Sequence, residues 1–286
     1  MLILAAVIFA LVAVLVIYGI VRYRARDGAA LPTQIFGSRK AEITWTVIPI
    51  VIVTVLFVFT VRTMAFVDAP REPADQPDVT ITGHQWWWEA RYANGAVAVQ
   101  EIHIPVGRRL LARIEAADVI HDFWVPQLAR KMDAVPGRSG YIWLEANAPG
   151  TYEGRCSEFC GMQHAWMHFT VIAEPEPQFS AWLQRQAEPP REPEAGLPVV
   201  GGRLFREEKC TDCHAVSATD TQPRKGPPLA HIAGRKLLGG DIPNSPANLA
   251  RWTVNPQSIK PGNRMPNQRL SNADTLALTA YLESLR

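Results

Sequence analysis

Four cysteines and seven histidines hold most of the reactive chemistry of this 286-residue chain, and they gather in two clusters. The later cluster, Cys210-Thr-Asp-Cys213-His214, has the C-x-x-C-H spacing of covalent c-type heme attachment: two thiols add to the heme vinyl groups and the adjacent imidazole reaches the iron. The other readings are a redox dithiol or half of a zinc site. No second cysteine pair follows, however, and the loop-rich helical surroundings lack the alternating strands and helices of a thioredoxin. Iron then needs a sixth ligand. Met265, in Asn263-Arg-Met-Pro266, is the sole methionine downstream, and His/Met ligation raises the potential and suits electron transfer. His231 competes with it, and reads better as a structural residue near the heme edge.

The earlier cluster is Cys156-Ser-Glu158-Phe-Cys160-Gly-Met-Gln-His164-Ala-Trp-Met167, with His121 upstream in Asp118-Val-Ile-His121-Asp-Phe-Trp-Val-Pro126. Two thiolates, two imidazoles and a thioether form a soft donor set suited to copper. A mononuclear blue-copper site needs one thiolate, whereas a second cysteine four residues away lets both sulfurs bridge two ions. A Cys156–Cys160 disulfide is the bland alternative outside the cell, but it leaves His121, His164 and Met167 without a purpose. His168, four residues beyond His164, is either a ligand in its place or part of the next strand.

These clusters need elements to hold them. With 48% hydrophobic and 20% charged residues the chain is too apolar to be disordered. Leu2–Val21 and Ile43–Val61 are uncharged runs of 20 and 19 residues, each long enough to span a bilayer. The first is not a cleaved signal peptide in pattern: it is too long, no basic segment precedes it and no small-residue cleavage site follows. Arg22, Arg24, Arg26, Arg39 and Lys40 lie between the spans, while the flank after the second turns acidic through Asp68, Glu72, Asp75 and Asp78. The short loop is therefore expected in the cytoplasm, and residues 62–286 on the outer face of a bacterial inner membrane. The chain begins within its first span, which leaves a longer leader or lipid anchor absent or removed.

The expected layout is a transmembrane hairpin over 1–66, an all-β domain over 67–174, a Pro-rich linker over 175–198 and a small all-α domain over 199–286. Strand-like runs at Val79–Thr82, Arg109–Glu115, Val119–Phe123, Tyr141–Glu145, Gly150–Arg155 and Met167–Ile172 carry the sandwich or barrel pattern. Gly201–Lys209 and Asn272–Leu285 have helical spacing, and a short helix is expected around Phe179–Arg185 in the linker. Residues 62–174 hold ten basic and fourteen acidic side chains, and residues 196–286 hold twelve basic and seven acidic. This segmentation, without one dominant basic face, excludes a nucleic-acid binder. It predicts electrostatic docking between the two domains: some of Lys209, Lys225, Arg235, Lys236 and Lys260 meeting acidic residues around Trp86 and Asp122.

The pattern Cys-x-Glu-x-Cys-x-x-x-His-x-x-Met, after Val-Ile-His-x-Phe-Trp-Val-Pro, resembles the binuclear copper A centre of cytochrome c oxidase subunit II. The resemblance extends to Gly83-His-Gln-Trp-Trp-Trp-Glu89, to Lys131-Met-Asp-Ala-Val-Pro-Gly-Arg138 and to the paired spans, about two-thirds of the chain. It implies a cupredoxin-like Greek-key domain in which His121, Cys156, Cys160, His164 and Met167 ligate two coppers with the backbone carbonyl of Glu158, so that His168 is demoted. It also implies that the Glu158 side chain binds magnesium at the contact with subunit I, a site this chain alone supplies with too few oxygens. Trp86 would take the incoming electron, with Trp87 and Trp88 structural, and Glu42 would lie at the mouth of a proton channel in subunit I. Asp122 departs from the family, which commonly has a small residue there. The appended heme domain resembles the fused cytochrome c of caa-type oxidases.

The role implied is electron uptake for a respiratory heme-copper oxidase. Electrons from an external cytochrome c or a bc-type complex would pass through heme c and copper A to subunit I, accompanied by subunit III, where oxygen is reduced to water with proton pumping. The chain itself has no general acid, base or nucleophile constellation. The alternatives are a self-standing membrane-anchored copper and heme shuttle, of the kind that could feed a nitric or nitrous oxide reductase, and a copper-delivery protein. Glu42, Glu158 and two spans where one anchor would serve favour the oxidase subunit.

Overall fold

The computed structural model describes residues 2–24, 28, 37–69, 76–217 and 225–286. Of the charges used to orient the hairpin, Arg26, Glu72 and Asp75 lie outside these residues. The chain divides into two units, Met1–Arg62 and Thr63–Arg286.

The first unit is built from α1 (Leu2–Arg22) and most of α2 (Arg39–Val67). Both are long and apolar enough to cross a membrane, and neither buries a residue against protein. An apolar surface of that extent is matched by lipid rather than by water. α2 runs past the apolar stretch at both ends and starts at Arg39, so Glu42 sits in its first turn, where a carboxylate faces the partial positive charge of the helix N-terminus. Thr44, Thr46, Thr54 and Thr60 each donate their hydroxyl to the carbonyl four residues back at 2.8 Å, which satisfies polar groups that lipid would leave unpaired.

The second unit begins with a sandwich of two five-stranded sheets. The strands are β1 (Val79–His84), β2 (Trp87–Tyr92), β3 (Val97–Val99), β4 (Glu101–Pro105), β5 (Leu110–Ala116), β6 (His121–Trp124), β7 (Met132–Ala134), β8 (Gly140–Leu144), β9 (Gly150–Cys156) and β10 (His168–Glu174). One sheet has the order β3-β2-β1-β5-β8 and the other β4-β10-β9-β6-β7. β1 shows the half-buried alternation expected of such a layer: Val79 and Ile81 face the core while Thr80 and Thr82 do not. Between the sheets Ile81, Trp88, Ile114, Phe123, Ile142 and Phe169 are fully buried. The six strand-like runs read from the sequence all fall on strands. The missed ones, β2, β3, β4 and β7, are short or interrupted by polar residues whose burial is tertiary.

The proline-rich stretch after β10 is not a tether over its whole length. Its first half is α3 (Glu176–Ala187), which seats Phe179 in the sandwich core and stacks Trp182 on His103 with ring centroids 3.9 Å apart. Gln186 Nε2 donates to the Val97 carbonyl at 2.8 Å and Asn94 Nδ2 to that of Leu183 at 3.0 Å. Removing Phe179 leaves a cavity under the helix: Phe179→Ala is expected to cost about 3–5 kcal/mol, read as a drop of several degrees in the midpoint for unfolding of the β domain, with a normal midpoint showing that α3 is held by its polar contacts alone.

The rest of the chain forms α4 (Leu197–Glu207), β11 (Leu237–Leu238), β12 (Ile242–Pro243), α5 (Pro246–Val254) and α6 (Asn272–Ser284). α4 and α6 cross at Gly201 and Gly202: a Cβ on Gly201 would lie 2.0 Å from the Ala277 carbonyl oxygen, and one on Gly202 3.1 Å from the Tyr281 ring. Phe205, Leu249, Leu278, Tyr281 and Leu282 close the core behind that crossing. Ser245 and Ser271 cap α5 and α6 by accepting from the amides of Asn248 and Asp274.

Candidate metal centres

β9 delivers Cys156 at its end and β6 delivers His121 at its start, and the loop from Cys160 to Met167 folds back so that both cysteines meet the histidine. His121, Cys156 and Cys160 are all buried, with donor atoms within 4.8 Å of one another. The two sulfurs are 3.7 Å apart, well beyond the disulfide bond length of about 2.05 Å. Cys156 Sγ has His121 Nδ1 at 3.8 Å and the Glu158 carbonyl at 3.3 Å. Cys160 Sγ has His164 Nδ1 and Met167 Sδ, both at 3.7 Å. Each thiol is thus flanked by one imidazole and one weaker donor, an arrangement that gives two four-coordinate sites if both sulfurs are shared. The Cys160 thiol donates a hydrogen bond that holds Cys156 well below the usual thiol range, with His121 adding to the effect, while Cys160 itself is pushed up.

The other predicted residues fall around this cluster. The Glu158 side chain is exposed and only its carbonyl turns inward. His168 points elsewhere, with its Nδ1 2.8 Å from Asp241. Trp86 donates Nε1–H to the Cys160 carbonyl at 2.9 Å, and Gln85 Nε2 donates to the same oxygen at 2.7 Å. Trp88 is a core residue, fully buried, whereas Trp87 stacks on His84 at 3.9 Å. Asp122 is not on the surface at all. It is 1% exposed with one carboxylate oxygen lacking a partner, and burial followed by its hydrogen bond with Asp133 pushes its pKa up. An acidic docking patch therefore does not include it.

Asp118 escaped the sequence reading, although its position three residues before His121 is a usable signal. Its carboxylate lies 2.8 Å from His121 Nε2 and accepts the amides of Gln85 and Val119. Burial opposes its ionisation, but these hydrogen bonds outweigh it and hold the pKa at about 2. Nδ1 of His121 is thereby left as the free nitrogen facing the sulfurs. Gly83 makes room for the ring, since a Cβ there would sit 2.9 Å from His121 Cδ2.

The second centre is a cavity of about 570 Å³ lined by Cys210, Cys213, His214 and Met265 with apolar Leu229, Ile232, Leu249, Leu278 and Leu282. The two cysteines occupy a single helical turn directly after α4. His214 Nδ1 donates to the Pro227 carbonyl at 2.7 Å, leaving Nε2 as the free nitrogen, and burial lowers its pKa. Gly226 allows the ring to lie flat: an added Cβ would be 2.5 Å from His214 Cε1. His231 is not among the cavity-lining residues, and its Nε2 bonds to the Glu188 carbonyl at 2.8 Å. Gln85, Trp86, Trp87 and Gln163 of the β domain also line this cavity, so Trp86 touches both centres.

Residues 1–63 match the family described as cytochrome c oxidase subunit II, transmembrane domain, residues 96–174 its periplasmic domain, and residues 199–286 cytochrome c. Cytochrome c oxidase subunit 2 of Alkalihalophilus pseudofirmus is 39% identical over 99% of this chain and 86% of its own length. The chain belongs to the cytochrome c oxidase subunit 2 family. It is accordingly a membrane protein whose two apolar helices are the family's transmembrane part. The subunit 2 family is broad: quinol oxidase subunit 2 of Bacillus subtilis is 34% identical over 67% of this chain and 61% of its own. Among solved structures, the periplasmic domain of subunit II of cytochrome oxidase from Bradyrhizobium japonicum is 32% identical, covering 40% of this chain and 96% of that one at a TM-score of 0.37.

Proposed function

We propose that this chain takes up electrons for a respiratory heme-copper oxidase on the outer face of a bacterial inner membrane and delivers them to subunit I, with subunit III and a cytochrome c or bc-type complex as further partners. The observation that carries this reading is Trp86, whose ring lines the heme-sized cavity while its Nε1 hydrogen bonds to the Cys160 carbonyl. A copper-delivery protein has no use for two redox pockets sharing one wall, and the match of residues 1–63 and 96–174 to oxidase subunit II favours the oxidase over a self-standing copper and heme shuttle.

Cys210 and Cys213 would hold heme c through thioethers, with His214 and Met265 as axial ligands. His121, Cys156, Cys160, His164, Met167 and the Glu158 carbonyl would hold a binuclear copper A centre. When bound, each group supplies reversible one-electron chemistry. The chain's own contribution is to fix these donors in place: the Pro227 carbonyl orients His214, Asp118 orients His121, and the apolar cavity wall keeps water away. The exposed Glu158 carboxylate is assigned to a magnesium ion whose remaining oxygens come from subunit I and water. Exposed Phe159, Ile120, Val119 and Trp124 form the apolar surface that subunit I would cover. Glu42, at the start of α2, is assigned to the mouth of the proton channel.

The test is composition of the purified protein. Two coppers and one covalent heme per chain, in a complex with a multi-span subunit carrying noncovalent heme, are expected; a chain purified alone with one copper contradicts the proposal. Asp118→Asn should weaken copper about 10- to 100-fold, the usual effect of losing the partner of a metal-bound histidine, measured by competition with a chelator. Unchanged affinity would mean that packing against Gly83 and Trp88 suffices to orient His121.

A further inference from the structure

The charge contact between the two domains lies at Glu101, which faces Arg235 and Lys236, and not around Trp86 and Asp122 as expected. Lys260 is 6% exposed, and its ammonium donates to the Trp166 carbonyl at 2.6 Å and to the Gly239 carbonyl, not to a surface carboxylate. Lys236 meets the β domain through its backbone: the Lys236 and Leu237 amides both donate to Glu101 Oε1 at 2.7 Å. Arg235 turns back to the Pro228 and Ala230 carbonyls.

Lys260 opens the segment Lys260-Pro-Gly-Asn-Arg264, which leads directly into Met265. The contacts of this segment with the β domain fall on the loop that carries Cys160, His164 and Met167 and on Gln85 and Trp86, which are bonded to that loop. The Gln163 side-chain amide donates to the Pro261 carbonyl. Gly262, at φ +83, leaves room for Met162, whose Cε would lie 3.0 Å from an added Cβ. The Arg264 guanidinium bonds to Gln85 Oε1 and lies 5.7 Å from the centroid of the Trp86 ring, and both Gln85 and Trp86 are bonded to the Cys160 carbonyl. The loop carrying one candidate heme ligand is therefore keyed into the loop carrying three candidate copper ligands.

We propose that Lys260–Arg264 is a latch that holds the C-terminal domain on the β domain and closes the Trp86 face to soluble donor proteins, which must then dock on the C-terminal domain. This rests on the assignment of the two metal centres above. A docking protein needs about 800 Å² of open surface per partner, and the face around Trp86 is already occupied by the latch. Its bonds run to neutral carbonyl and amide oxygens, part-buried except for the exposed Arg264–Gln85 bond, so added salt does not release it, in contrast to exposed ion pairs, which are screened.

The experiment uses the purified oxidase complex in detergent, native and with Lys260→Met or Arg264→Leu, at low salt and at about 1 M salt. Backbone hydrogen exchange is followed over 161–166 and 260–264, and hydroxyl-radical oxidation is followed at the Trp86 side chain. In the native complex both segments and Trp86 are expected to be protected equally at the two salt concentrations. In either variant exchange should rise about tenfold in both segments together, with Trp86 oxidation rising too. Native protection that is absent or lost in salt overturns the latch, as does a variant that loosens only one segment. The heme and copper spectra, recorded on the same samples, separate the two ideas: normal spectra with an unprotected interface sink the latch alone, and missing copper or heme in the native complex sinks the site assignment beneath it.

Discussion

Replacing Cys160 by serine is expected to abolish the binuclear copper signal, the largest effect of any single substitution in the β domain. Cys160 Sγ lies within 3.7 Å of Cys156 Sγ, His164 Nδ1 and Met167 Sδ, so the hydroxyl removes the atom on which half of the donor set converges. A hard alcohol oxygen is also a poor substitute for a soft bridging thiolate. The native protein should show two coppers sharing one unpaired electron equally by electron paramagnetic resonance. Cys160→Ser should show a mononuclear signal or no copper, and delivery of electrons to subunit I should stop. Retention of two coupled coppers in the variant would mean that Cys160 is not a bridge.

Met265→Leu is expected to leave heme covalently attached through Cys210 and Cys213 while abolishing the sulfur-to-iron charge-transfer band at the red edge of the oxidised spectrum. Axial ligands set heme potentials over a range of about 0.8 V, and loss of a thioether moves the potential down that range. The heme would then give up its electron but be reduced poorly by the same donor. Persistence of the band would transfer the axial role to another residue. His231 is placed badly for that role, with its Nε2 committed to the Glu188 carbonyl.

Both clusters were legible in the sequence because metal ligation imposes short, fixed spacings: C-x-x-C-H occupies one turn, and Cys156 to Met167 is one loop. The spans and the strand-rich domain were legible because apolar runs and period-two alternation are local. What was not legible depended on atoms far apart in the chain. The short helix expected around Phe179–Arg185 is α3, but its proline-flanked, mostly polar sequence reads as part of a linker, and only Phe179 and Trp182 show that it belongs to the sandwich. Charge counting pointed to the correct pair of domains but to the wrong place: Arg235 and Lys236 face Glu101, whereas Asp122 proved buried and Lys260 sought carbonyls. Gln85 and Gln163 were passed over because amide side chains carry no chemistry of their own until the fold aims them.

Flash-induced reduction of heme c in the intact complex, followed by the rate at which the copper pair becomes reduced, tests most directly whether Trp86 joins the two centres. In Trp86→Leu, with both metal spectra normal, the rate should fall markedly, because the aromatic ring that lines one cavity and bonds to the Cys160 carbonyl is gone, and native and variant rates alike should be independent of salt. An unchanged rate in Trp86→Leu would show that electrons reach copper by another part of the wall, and would contradict the role of Trp86 as the link between the two cavities.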